Sequence, residues 1–134
     1  MITDTGPLVA IVDDKETDHA ACMTFWKTLR RPMVTTWPCL TEAAYLLRKA
    51  GGEPYVRDLW ELYDKGVLRV HLSDAIELRR VRDLMETYRD IPCDLADASL
   101  VAAAETLGTN SIFTLDRHFY AYLKSDGSPF EVKP

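Results

Sequence analysis

The sequence lacks the marks of several protein classes. Its longest apolar runs fall well short of the ~20 residues that a membrane span needs, and its N-terminus has neither the basic stretch nor the apolar core of a secretory leader. Both absences predict a soluble, cytoplasmic protein. Cysteine is scarce: Cys22, Cys39 and Cys93 are odd in number, widely spaced and form no CxxC, which argues against a disulfide framework and a zinc cluster alike. His19, His71 and His118 are equally scattered. "HAAC" sets His19 and Cys22 one helical turn apart, but two ligands do not make a zinc site, and a surface histidine beside a core cysteine is the ordinary reading. Basic charge is in deficit, with 16 Lys and Arg against 21 Asp and Glu for a net −5, where a nucleic-acid partner normally favours basic surface. No repeat or low-complexity tract interrupts the 134 residues, of which 47% are hydrophobic and 28% charged, so residues 1–134 are predicted to form one domain with a real core.

What is present is an alternation of short strands and helices. Met1 to Thr3 reads as a strand, and "GPLVAIV" as a brief helix entered through Gly-Pro. Cys22, Phe25, Trp26 and Leu29 keep helical spacing up to "RRP". "MVTT" is a β-branched strand candidate, and a helix from Pro38 carries Leu40, Ala43, Ala44 and Leu47 to the turn at Gly51-Gly52. Val56, Leu59, Trp60 and Tyr63 mark a further amphipathic helix ending at Gly66. "VLRVHL" reads as a strand, Ser73 as an N-cap, and Leu78, Val81, Met85 and Tyr88 as the buried stripe of the next helix. An alanine-rich helix runs from Asp94 to Leu107-Gly108, followed by strands at "SIFTL" and "FEV". Such alternation predicts an α/β fold, a three-layer α/β/α sandwich with a central parallel sheet. It also removes one distraction. "DTG" at Asp4 is an aspartic-protease signature, but that chemistry needs a β-rich frame, and here a helix follows at once.

The acids stand out by position. In open parallel sheets, sites form beyond the carboxyl ends of the strands, and Asp4 and Asp116 each follow one. Glu42 lies early in the Pro38 helix beside Cys39 and Leu46, an unexpected place for an acid. Asp94 and Asp97 share one face at the start of their helix. Ordinary structural roles exist for each: caps and first-turn acids for Asp94 and Asp97, turn residues for Asp4 and Asp116, a solvated helix face for Glu42. Taken singly those roles are preferred; taken together they require several independent coincidences of strand-end placement.

"MITDTGPLVA", "TEAAYLL", "DLADASLVAAA" and "TLDRHF" resemble, in order and across nearly the whole chain, the four motifs of the PIN domain family, particularly its small VapC-like and PilT N-terminus-like members. The resemblance implies that Asp4, Glu42, Asp97 and Asp116 are catalytic metal ligands and that Thr5 and Thr114 support them. Asp94 falls where an extra acid is frequent. His118 is a departure, standing where many relatives carry a further acid. The implied activity is endonucleolytic hydrolysis of RNA with Mg²⁺ or Mn²⁺, as in the toxin of a VapBC-type toxin–antitoxin pair. Crowded carboxylates must take up protons unless a cation enters, and a second metal ~3.5–4 Å from the first would clamp both sides of an in-line displacement. Setting the four acids aside leaves a charge of only −1. Basic residues cluster at Leu29 to Arg31, Arg48-Lys49, and Arg79, Arg80, Arg82 and Arg89, although most are expected to be solvated helix faces. Arg117 and His118 are the best placed for a scissile phosphate. The expected partners are RNA, a small antitoxin over the acidic cleft and a second copy of the chain, joined through the helices from Cys22 and Pro54. Two alternatives remain: a non-catalytic PIN-like RNA- or protein-binding module, and a metal hydrolase of small phosphate esters.

Overall fold

The computed structural model describes residues 1–134. Five strands, β1 (Ile2–Thr3), β2 (Met33–Thr36), β3 (Leu68–His71), β4 (Ser111–Phe113) and β5 (Glu131–Lys133), pair in the order β3-β2-β1-β4-β5, and every pair is parallel. Parallel neighbours require crossovers. Most are supplied by α1 (Thr5–Val12), α2 (His19–Trp26), α3 (Trp37–Gly51), α4 (Glu53–Asp64), α5 (Ala75–Thr87) and α6 (Leu95–Thr106), while a 3-10 turn, Arg117–Tyr120, lies between β4 and β5.

Strand register sorts the core into two halves, because successive side chains point to opposite faces. Ile2, Val34, Ile112 and Val132 are cross-strand partners and pack with Val81 and Leu84 of α5 and Leu100 and Val101 of α6. Met33, Leu68 and Phe113 face the other way, toward Leu8 of α1, Cys22 of α2, Leu40 and Leu47 of α3 and Leu59 of α4. The result is the expected three-layer sandwich. With both faces covered, the short strands need not alternate with polar residues. Helix α6 is buried on nearly all sides, from Ala98 to Ala104, and its alanines let it approach both β1 and β2 while still packing on α3 and α5.

Three local expectations are corrected. Helix α2 stops at Trp26 rather than at "RRP", because Thr28 and Leu29 donate to Phe25 and Trp26, bonds that tighten the chain into turns. The N-cap of α5 is Asp74, not Ser73: Asp74 accepts from the Glu77 N–H at 2.8 Å, while the Ser73 hydroxyl is used by the Glu77 carboxylate at 2.7 Å. The buried stripe of α5 is accordingly Glu77, Val81 and Leu84, and Leu78 and Met85 are exposed. On α4, Val56 and Leu59 are buried but Trp60 and Tyr63 are not. No helix is long and apolar enough to cross a membrane.

Candidate metal centre

From β1 the chain builds outward to β2 and β3, then returns to place β4 on the other side of β1. The reversal leaves a crevice at the carboxyl ends of β1 and β4, the position where open α/β sheets form their sites. Asp4 sits at its base. Its N–H donates to Phe113 O at 2.9 Å, so the first residue after β1 is tied to the end of β4. Its carboxylate caps α1, with Oδ1 accepting from the Thr5 N–H at 2.6 Å, and Oδ2 accepts from the Thr114 hydroxyl at 2.7 Å. Asp4 is thus a cap and a buried acid at once. Burial pushes its carboxyl above the ordinary range; the hydrogen bonds from Thr114 and Thr5 oppose this, and the charges of Asp116 and Glu42 add to it.

Thr114 is the joint of the site. While donating to Asp4, its Oγ1 accepts from the Asp116 N–H at 3.0 Å, which fixes the backbone that carries the next acid. Asp116 caps the 3-10 turn, accepting from the His118 N–H at 2.8 Å, and the same oxygen lies 2.8 Å from His118 Nδ1. Glu42 arrives from the second turn of α3, where its Oε2 is 3.1 Å from the Thr5 hydroxyl. Asp94 and Asp97 form a reciprocal capping box at the start of α6: the Asp97 N–H donates to Asp94 at 2.9 Å, and the Asp94 N–H donates to Asp97 at 3.2 Å. The Asp97 carboxyl is pushed up to about 7, first by burial, then by the charge of Asp94, with Asp4 and Asp116 contributing.

Asp4, Glu42, Asp97 and Asp116 therefore come to one end of the sheet, with Thr5, Thr114 and Asp94 among their hydrogen-bond partners. They converge without closing on a point, since no three acidic, histidine or cysteine side chains form a ready ligand set. The donor chemistry nevertheless fits a hard divalent cation, because it is all oxygen and because Asp4 and Asp97 lack a compensating positive charge. Of the two proposed phosphate contacts, Arg117 is exposed at the crevice rim and His118 is turned onto Asp116. Of the arginines on and just beyond α5, Arg80 forms a bidentate bond to Glu105 at 2.9 Å, Arg82 pairs with Asp83 and Arg89, past the helix end, with Glu86.

Two residues at the site carry no sequence signal. Tyr122 is fully buried between Tyr88 and Phe119; its hydroxyl donates to Pro92 O and lies 3.5 Å from Asp97 Oδ2. Cys39 Sγ lies 3.9 Å from Asp4 Oδ1, and burial, followed by the Asp4 charge, pushes its thiol up to about 12. In the metal-free chain the neutral thiol is therefore favoured.

Comparison with known proteins agrees with this architecture. A PIN domain family model matches residues 1–124. Ribonuclease VapC26 of Mycobacterium tuberculosis is 32% identical over 136 residues, covering the whole of both chains. Among solved structures, the Sarcin-Ricin loop cleaving toxin VapC20 of Mycobacterium tuberculosis superposes with a TM-score of 0.84 at 19% identity, covering 99% of this chain and 98% of its own. VapBC2 from Rickettsia felis, bound to a DNA fragment from its promoter, gives 0.68 at 11% identity with the same coverage of both chains. At those identities the two structures speak for the fold alone.

Proposed function

The chain belongs to the PIN domain family, and from that premise we propose that it is a metal-dependent endoribonuclease, hydrolysing RNA phosphodiester bonds at a carboxylate site for Mg²⁺ or Mn²⁺ and serving as the toxin of a VapBC-type pair. The relative that matches over its whole length bears the name ribonuclease, one fold neighbour is a Sarcin-Ricin loop cleaving toxin and another is VapBC2 bound to promoter DNA. The observation that carries the reading is the bridge at Thr114, which holds a buried Asp4 and Asp116 together across the β1–β4 crevice while Asp97 feels both charges.

In this reading Asp4, Glu42, Asp97 and Asp116 hold the metal. The ion, when bound, neutralises these carboxylates, activates a water and stabilises charge on the phosphate. The chain's own residues set the stage. Thr5 and Thr114 each donate to one oxygen of Asp4 and so fix its carboxylate. Thr5 also restrains Glu42, and Asp94 fixes the first turn of α6 from which Asp97 projects. Burial and the neighbouring charges favour the protonated form of Asp97 in the metal-free site, a crowding that a cation would relieve. Arg117, exposed beside Asp116, is the group we expect to receive a phosphate, and His118 would have to leave Asp116 to join it. The whole of 1–134 is one domain. Its partners are RNA, a second copy of the chain, and a small antitoxin that lays an arginine against the acids, where a charge-assisted bidentate bond is strongest.

Purified protein is expected to cut single-stranded and structured RNAs in Mg²⁺ and to stop in EDTA. Asp4→Asn preserves side-chain shape and turn chemistry while removing one charge, and should lower the cleavage rate by orders of magnitude. It should also reduce the rise in Tm produced by Mg²⁺, a rise that follows RT ln(1 + [L]/Kd) for a ligand bound only by the folded state. Cleavage that persists in EDTA, or in the variant, excludes the nuclease mechanism. A site that binds RNA without cutting it would instead mark a non-catalytic module.

A further inference from the structure

Helix α3 begins directly after β2, so its first turns stand at the same end of the sheet as the acids. Trp37, Thr41 and Tyr45 follow one another at intervals of four and therefore share one face of α3. Trp37 is 57% exposed and Tyr45 65%, an unusual outlay of large apolar surface for two rings. Neither ring stacks on another aromatic side chain, whereas the exposed Trp60 and Tyr63 pair edge to face with each other. Across from them, Leu95 is 52% exposed at the start of α6. Together these residues wall a cleft of about 590 Å³, and its only charged lining groups are Glu42 and Asp94.

We propose that this cleft is a nucleobase subsite, in which Trp37, with Tyr45 beyond it, stacks unpaired bases of the RNA next to the scissile phosphate. The assignment rests on the ribonuclease reading above, because Glu42, a proposed metal ligand, forms part of the cleft wall. Charge selects the occupant. With no basic side chain in its wall, the cleft offers a phosphate no partner and accepts the neutral, flat part of a nucleotide, leaving the phosphate to the metal crevice. Geometry agrees. Eight residues of helix separate the two rings by about 12 Å along the axis, room for successive unstacked bases rather than for one. Aromatic faces bind every base, so the subsite favours single-stranded or looped RNA over duplex without fixing a sequence. Trp37 and Tyr45 are binding residues for the substrate, placed outside the metal ligands themselves.

The test uses the full chain, Mg²⁺, a short mixed-sequence single-stranded RNA and a strand of the same length with an abasic residue on each side of one intact cleavage step. Wild-type cleavage of the intact strand establishes the ribonuclease reading, and its absence overturns that reading together with the subsite. Given cleavage, Trp37→Ala is expected to raise KM for the intact strand on the order of tenfold, from the loss of one stacked base, with kcat little changed. Trp37→Phe should restore KM, because a ring face is retained. The abasic strand should show a high KM that is the same for wild type and Trp37→Ala. Unchanged KM in Trp37→Ala, failure of Trp37→Phe to restore it, or an equal loss on the abasic strand overturns the proposal. So does a change in sedimenting mass in Trp37→Ala, which would assign the cleft to a second copy of the chain.

Discussion

Asp97 has a carboxyl raised to about 7, chiefly by burial and then by the charge of Asp94. In the unfolded chain the same group ionises near pH 4. A folded value above the unfolded one means that the native state holds the extra proton, so the associated stability is complete below about pH 4 and is lost as pH rises through about 7. Metal-free protein should therefore melt at progressively lower temperature across that window, and Asp97→Asn should flatten the dependence. Because the carboxyl is partly exposed, the difference at pH 8 is expected to be only about 1–2 kcal/mol. The same substitution should abolish most RNA cleavage, while Asp94→Asn, which keeps a good N-cap, should be much milder. Equal losses in the two variants would place Asp94 beside the metal as an equal ligand. Thermal melts against pH, with and without Mg²⁺, and cleavage rates measure both.

At the level of elements, the start of α5 shows how a cap and a buried acid are built together. Asp74 closes the helix end, and this leaves the Ser73 hydroxyl, the His71 imidazole and the Thr106 hydroxyl to converge on the Glu77 carboxylate. Burial pushes Glu77 up, but these hydrogen bonds outweigh it and hold the carboxyl below its ordinary value. Strand β3, helix α5 and the end of α6 are pinned at one point. Asp74→Ala is expected to cost about 1 kcal/mol as a lost N-cap, measurable by urea denaturation, whereas Asp74→Ser should recover most of it. If alanine at position 74 costs nothing, Ser73 caps the helix after all. The sequence could not separate these two neighbours, because both are good caps and a shift of one residue exchanges Leu78 and Met85 for Glu77 and Leu84 on the buried face.

For the whole molecule, the surface left apolar after folding determines assembly. Trp60 and Tyr63 remain 42% and 47% exposed on α4, paired edge to face with each other, and Trp60 lines a hollow with Trp37, Leu40 and Tyr45 of α3. A homodimer through α2 and α4 would bury them, as aromatic residues are enriched in interface cores. Sedimentation at micromolar concentration is expected to give twice the 15.2 kDa chain mass, and the double substitution Trp60→Ala, Tyr63→Ala should return it to the single-chain mass. A wild-type protein that sediments as one chain rejects the dimer. The net charge of −5 belongs to this scale too: Arg80, Arg82 and Arg89 are already paired with acids, and the contacts proposed for RNA are the metal, the rim and the aromatic cleft.

The sequence by itself determined the alternation of strand and helix, the parallel character of the sheet and the placement of Asp4 and Asp116 just beyond strands, because each follows from local periodicity and turn chemistry. Glu42, Asp94 and Asp97 were likewise legible as acids on helix starts. Only the tertiary structure decided that β1 lies between β2 and β4, and hence that Thr114 bonds Asp4 across 110 residues of chain. It alone brought Tyr122 to Asp97 and Cys39 to Asp4, and it alone left Trp37 and Tyr45 uncovered beside the acids. Periodicity reports which side of an element is apolar. Which partner covers that side is settled by packing energy between segments far apart in sequence, and no local pattern records it.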